Sequence, residues 1–167
     1  MPKAIRGLER FTTAQDAPGS GSDEALREIR AGAKTGHWIW YVFPQLSGLG
    51  ASAMSQTFAI ADAAEAAAYL RDPTLRARLL TITAAVAEQS TTRDRPLRAV
   101  MGSETDARKL VSSLTLFEHA ALTLHRTDAL DDYSALADAA GAVLTFAAAE
   151  GYPRCPYTLG RLAAARS

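Results

Sequence analysis

His37 stands directly before Trp38, and Trp40 follows two residues on, in a chain whose aromatic fraction is only 7%. A histidine beside aromatic rings suits proton shuttling or ligand donation, because imidazole titrates near neutrality; the alternative is a buried structural histidine. Each tryptophan presents a flat polarisable face that can stack on a base or ring, or pack as core. If the segment is extended, Trp38 and Trp40 point the same way. Downstream, Gly48-Leu49-Gly50-Ala51-Ser52-Ala53 fits the pattern G-x-G-x-x-A. A dinucleotide fold needs a strand running directly into the glycine turn and then a helix. Here Pro44 to Ser47 intervene and an alanine-rich helical region follows, so the stretch reads as a tight loop needing glycine. Its backbone amides, Gly48 to Ser52, are placed to form an anion nest at a helix start.

A second polar group lies further along. Lys109, Ser112, Ser113 and Leu116 fall at i, i+3, i+4 and i+7 of a helix. Two hydroxyls and a cation on one stripe can hold phosphate or carboxylate, or simply form a solvated face. Gly32-Ala33-Lys34-Thr35 is not a phosphate loop, since that pattern needs glycine directly before the lysine. The residues expected to bind a ligand are Lys34, Trp38, Trp40, Gln45, Gly48, Gly50, Ser52, Lys109, Ser112 and Ser113, with His37 the one candidate for catalysis. No cofactor and no metal are expected. His119 and His125 are six apart, on nearly opposite faces of a helix, and cannot pair as ligands. A lone cysteine, Cys155, adds too few donors for zinc and can form no disulfide within the chain.

The elements that must position these groups are mainly helical. Leu8, Phe11 and Ala14 share one face of a short first helix. Asp16 to Ser22 is a loop by composition. Ser22 is expected to cap a second helix carrying Ala25, Leu26, Ile29 and Ala33, with Gly32 and Gly36 at its end. Trp38 to Phe43, rich in aromatic and β-branched residues, reads as a short buried strand or extended core segment that Pro44 ends. Asp62 with Glu65 makes a capping-box-like start, and Asp72 with Pro73 starts the next helix, whose stripe is Leu75, Leu79, Ile82 and Val86. Ser103 caps a helix with Leu110, Leu114, Phe117, Ala121 and Leu124 on its core face. Another carries Tyr133, Leu136, Ala140, Val143, Leu144 and Ala147, closed by Gly151; Tyr157 to Ser167 forms a short last helix. The expected fold is mainly α, a compact multihelical single domain over residues 1–167 with at most a short extended or strand segment near residues 38–43.

The chain has 167 residues, 18 Lys plus Arg and 18 Asp plus Glu. A net charge of zero leaves no strong electrostatic signal for nucleic acid. Met1 to Arg10 is too polar for a signal peptide, and no apolar run is long enough for a membrane span, so the cytoplasm is the expected location.

The string Lys34-Thr35-Gly36-His37-Trp38-Ile39-Trp40-Tyr41-Val42-Phe43-Pro44-Gln45-Leu46-Ser47-Gly48-Leu49-Gly50 resembles the signature of the bacterial DUF1810 family. So do Leu8-Glu9-Arg10-Phe11 with Ala14-Gln15, Tyr69-Leu70 with Pro73, Leu75, Arg78 and Leu79, and the block from Asp106 to Phe117. The resemblance covers about residues 8–124, leaving 125–167 as a C-terminal helix and tail, and implies a compact, largely helical fold. The family is named for having no assigned function; the label "calpastatin" on some members is a propagated misnomer. It is similar, at a distance, to the NADAR superfamily, whose members handle ADP-ribose derivatives. No NADAR motif lays onto this chain residue by residue, so no catalytic residue is carried over. The sequence departs from the family at Pro18 to Ser22, a polar loop where an aromatic-containing segment is usual, and at Gly36, where Ser is frequent.

Two functions follow. One is a binder or hydrolase acting on a nucleotide-like small molecule, an N-glycosidic ADP-ribose derivative in its most concrete form. Its cleft would have the Lys34 to Ser52 segment as one wall and the Lys109 stripe as the other, with Lys109 near His37. The rival is a non-catalytic interaction module whose tryptophans are core. Neither reading uses the thiol, since a catalytic thiol needs its pKa lowered by a partner that the local sequence around Cys155 does not supply. Cys155→Ser is therefore expected to leave the thermal midpoint and any purified activity intact; loss of that activity would implicate the thiol.

Overall fold

Side-chain caps set where most of the long helices begin. The computed structural model describes residues 7–165; those before Gly7 and after Ala165, including part of the N-terminal and tail readings, lie outside the described residues. The helices are α1 (Glu9–Gln15), α2 (Ser22–Ala31), α3 (Ile39–Val42), α4 (Ala53–Thr57), α5 (Ala63–Arg71) and α6 (Pro73–Ala87). A π-helical turn (Glu88–Thr92) continues α6, and α7 (Leu97–Met101), α8 (Glu104–Thr127), α9 (Asp131–Ala149) and α10 (Pro156–Ala164) follow. The Asp62 carboxylate accepts from Glu65 N at 2.9 Å, Asp72 from Thr74 N and Leu75 N at 2.9 Å each, and the Ser103 hydroxyl from Asp106 N at 3.1 Å. Each bond satisfies an amide that the first helical turn leaves without a partner.

The start of α2 differs from expectation. Its cap is Gly21, extended at φ −95° and ψ −157°, and Ser22 is already helical. A side chain at 21 would collide with the carbonyl of Gln15, so the close approach of α1 assigns that position to glycine. At the other end Gly32 takes φ +110°, and the amides of Gly32 and Ala33 bond Ile29 O and Glu28 O at 2.9 and 3.2 Å, closing the helix in a Schellman turn.

The expected strand is also corrected. Ile39–Val42 is a single helical turn, with Val42 N on Trp38 O at 3.2 Å and Phe43 N on Ile39 O at 3.0 Å. Intrinsic strand preference is weak, and a short apolar run suits any buried backbone that satisfies its own amides. No strand lies alongside to supply a ladder: the one β-pairing among the described residues is an isolated parallel bridge between Leu46 and Ile60. That bridge ties the Gln45–Ser52 loop to the segment entering α5.

α8 and α9 form an antiparallel hairpin across a three-residue link, and α9 packs in turn on α6. α2 covers the outer side of α6; α5, α7 and α10 lie against α8. The expected stripes are the core: Leu75, Leu79, Ile82 and Val86, then Leu110, Leu114, Phe117, Ala121 and Leu124, then the apolar face of α9 are all buried.

One buried carboxylate organises the connector between α2 and α3. Glu28 is 5% exposed, and its Oε1 accepts from Thr35 N and Gly36 N at 2.7 Å and from the Trp38 indole N–H at 3.0 Å. Burial by itself raises its pKa, but the amides of Gly36 and Thr35 and the indole outweigh this and hold it down at about 2, against an ordinary 4.5. Because the folded pKa is depressed, the contribution is complete above about pH 4.5 and fades as the pH falls toward 2. It amounts to about 3 kcal/mol at 1.36 kcal/mol per pH unit. Urea midpoints should separate wild type from Glu28→Gln at pH 6, with the gap closing toward pH 3; a constant gap would contradict this account. Trp38, 1% exposed, should cost about 3–5 kcal/mol as Trp38→Ala, read by the same method.

Candidate functional site

Trp38 stands just before α3 and Trp40 within it, and the two rings meet different partners. Trp38 turns inward onto Glu28, and Lys34 lies over its ring at 5.0 Å. Lys34 is itself buried and pairs with Asp106 at 2.7 Å, while its backbone N–H meets Val100 O at 2.8 Å. Both residues are thus spent on joining the connector to α2 and α8, and Trp38 has no face open to a ligand.

Trp40 is half-buried and faces α8, where the Lys109 ammonium lies 5.3 Å from its ring centroid. Trp40, Phe43, Gln45, Ser55, Phe58 and Lys109 line a small pocket of about 10 Å³, room for one water-sized group. Two observations single it out. The Trp40 indole N–H is buried without a hydrogen-bond acceptor, and Lys109 has no acidic partner among the described residues. An unsatisfied buried donor costs about 1–3 kcal/mol, so such a group calls for explanation.

The loop brings further predicted residues to the same place. Gly50 packs so closely on Ser55 that a side chain there would collide with the Ser55 hydroxyl, with the Gln45 amide next nearest. Ser52 caps α4: its hydroxyl accepts from Ser55 N at 3.1 Å and lies 2.9 Å from Ser55 Oγ. Trp40, Gln45, Gly50, Ser52 and Lys109 therefore converge, with Ser55 as the member that the sequence reading missed. Its signal was its place three residues after the cap Ser52.

The remaining candidates lie elsewhere. His37 is exposed and does not line the pocket; Lys109 meets Trp40 there instead. Gly48, at φ +100°, sits beneath Tyr157, whose hydroxyl donates to Ser47 O at 2.8 Å. Ser113 is fully buried, its hydroxyl without a partner. Ser112 lines a separate cavity of about 200 Å³ with Arg108, Tyr152 and Cys155. There the structure supplies what local sequence did not. Burial pushes the Cys155 thiol up, but the adjoining Ser112 hydroxyl and the amides of Thr158 and Tyr157 at the start of α10 bring it below its ordinary value. Among the described residues no group of three His, Cys, Asp or Glu side chains could hold a metal ion, and no helix is long and apolar enough to cross a membrane.

The comparisons with known proteins agree with this fold. The crystal structure of the conserved hypothetical protein Rv1873 from Mycobacterium tuberculosis superposes with a TM-score of 0.70, is 37% identical, and covers 93% of this chain and 96% of its own. No curated protein matches the chain. The model described as "Protein of unknown function (DUF1810)" matches residues 5–141, from before α1 to within α9. The chain belongs to the DUF1810 family.

Proposed function

We propose that the protein binds a small, nucleotide-like ligand through an anionic group seated between Lys109 and the Trp40 indole N–H. The observation that carries this reading is the pairing of a buried, unsatisfied indole donor with a lysine that has no acidic partner among the described residues, in one pocket. Indole and ammonium groups are donors only, and the Gln45 amide and Ser55 hydroxyl add donors beside them, a set that suits phosphate or carboxylate oxygen. The pocket's volume suits one oxygen of such a group, with the rest of the ligand lying outside over the Gly50 to Ser52 loop. An N-glycosidic ADP-ribose derivative is the ligand we place first within this class. Were it turned over, the reaction would be hydrolysis of the N-glycosidic bond; His37, which does not line the pocket, would serve proton transfer only to the part of the ligand lying outside it.

A specific observation favours the rival, a non-catalytic module: Lys34 and Trp38, the most reactive-looking pair in the connector, serve the core. A thermal-shift series with inorganic phosphate, AMP, ADP-ribose and NAD separates the two. At a hundred times its dissociation constant a ligand stabilises by about 2.7 kcal/mol, or about 5–10 °C for a domain of this size. Lys109→Ala should abolish that shift while leaving the unliganded midpoint within about 2–3 °C, since a partly exposed cation–π contact contributes about 0.5–1 kcal/mol. Trp40→Phe should reduce the shift by removing the donor and keeping the ring. No shift with any of the four would support the module.

A further inference from the structure

A second hollow shares no lining residue with the Lys109 pocket. A crevice of about 220 Å³ between the end of α1, α2, α3 and α6 has apolar walls from Leu26, Val42 and Ile82. It opens into an outer lobe of about 530 Å³, and Gln15, Asp23 and Arg78 border both parts.

Gln15 is 4% exposed on the otherwise apolar face of α1. Its Nε2 donates to Tyr41 O at 2.8 Å and to the Tyr69 hydroxyl at 3.0 Å. A carbonyl accepts only, so this fixes the amide's orientation and leaves Oε1 for the other side. The donor that reaches Oε1 is Arg78, at a long 3.4 Å. Arg78 is itself paired with Asp16, and Arg27 with Glu24. Asp23 has no ion pair and its carboxylate accepts no hydrogen bond among the described residues. Three carboxylates therefore face two guanidiniums at the mouth, leaving one negative charge over. The charged group left without a counter-charge is the Asp23 carboxylate, and the Gln15 carbonyl, held by one long bond, borders the same crevice. What complements it is a cation rich in N–H donors, joined to an apolar body. A cavity of about 150 Å³ accommodates a benzene ring, so the inner part has room for a ring and a short tether.

We propose that this crevice binds a small arylalkyl primary amine, its ring between α2 and α6 and its ammonium held by Asp23 and Gln15 Oε1. The probe is phenethylamine, titrated calorimetrically into the full chain at pH 7, with 2-phenylethanol and phenylacetate as neutral and anionic counterparts of similar shape. The amine should bind saturably at one site, and the alcohol and acid at least tenfold more weakly. Asp23→Asn, on the exposed first turn of α2, should weaken the amine at least tenfold while lowering the thermal midpoint by no more than about 4 °C. Absence of saturable amine binding would overturn the proposal. So would equal binding of the alcohol, which would show an apolar groove only, or unchanged amine affinity in Asp23→Asn, which would place the cation elsewhere. Lys109→Ala should leave amine binding intact, which keeps this test separate from that of the anion pocket.

Discussion

The buried carboxylate of Glu28 is the contact on which the rest of the candidate site depends. A charge removed from water must be compensated by donors that stay in place, and here three N–H groups from Thr35, Gly36 and Trp38 converge on one oxygen. Their convergence bends the connector after α2 into a single path. Trp38 is drawn inward, while Trp40, within α3, meets Lys109 of α8. Lys34 reaches Asp106 near the start of α8, and Lys109 lies one turn further along that helix. The connector is thus fastened to α2 by hydrogen bonds and to α8 by an ion pair, and the Lys109 cation–π contact with Trp40 follows one turn on; the pocket under Lys109 forms between those fastenings.

The loop that closes this pocket is held from the opposite side. The bridge from Leu46 to Ile60 aligns it with the entry to α5, and α10 clamps it through Tyr157 and Arg161, both of which donate to Ser47 O. Arg10 adds a third tie, from α1 to Thr57 O, Ala59 O and Glu65. The short helices α3 and α4 would be unstable alone, being far below the length at which isolated helices persist. They exist because the long helices α6, α8 and α9 supply a rigid frame and these polar contacts fix the connectors to it.

The two hollows are opposite in their unsatisfied chemistry. Around Lys109 the charge without a counter-charge is a cation; around Asp23 it is an anion, because both arginines there are paired with Glu24 and Asp16. A net charge of zero over the whole chain conceals this division. Overall charge speaks to long-range attraction, whereas recognition of a small molecule depends on which few polar groups are left unpaired at short range.

The long helices were legible in the amino-acid sequence, because the caps at Asp62, Asp72 and Ser103 and the apolar stripes that follow are local patterns of period 3.6, and local hydrogen bonds realise them. The place of the candidate site was legible in part. Trp40, Gln45, Gly50, Ser52 and Lys109 stood out by type and spacing, and they meet. What tertiary structure alone decided was the division of labour among similar residues. Trp38 and Trp40, or Lys34 and Lys109, look alike in sequence, but Glu28 and Asp106 claim one of each. The conformation of residues 39–42 was likewise decided by packing, because a four-residue apolar run fits a strand and a buried helical turn equally. Gln15 carried a local signal, a polar side chain on an apolar stripe, but its partners Tyr41, Tyr69 and Arg78 come from three distant stretches that only the fold brings together.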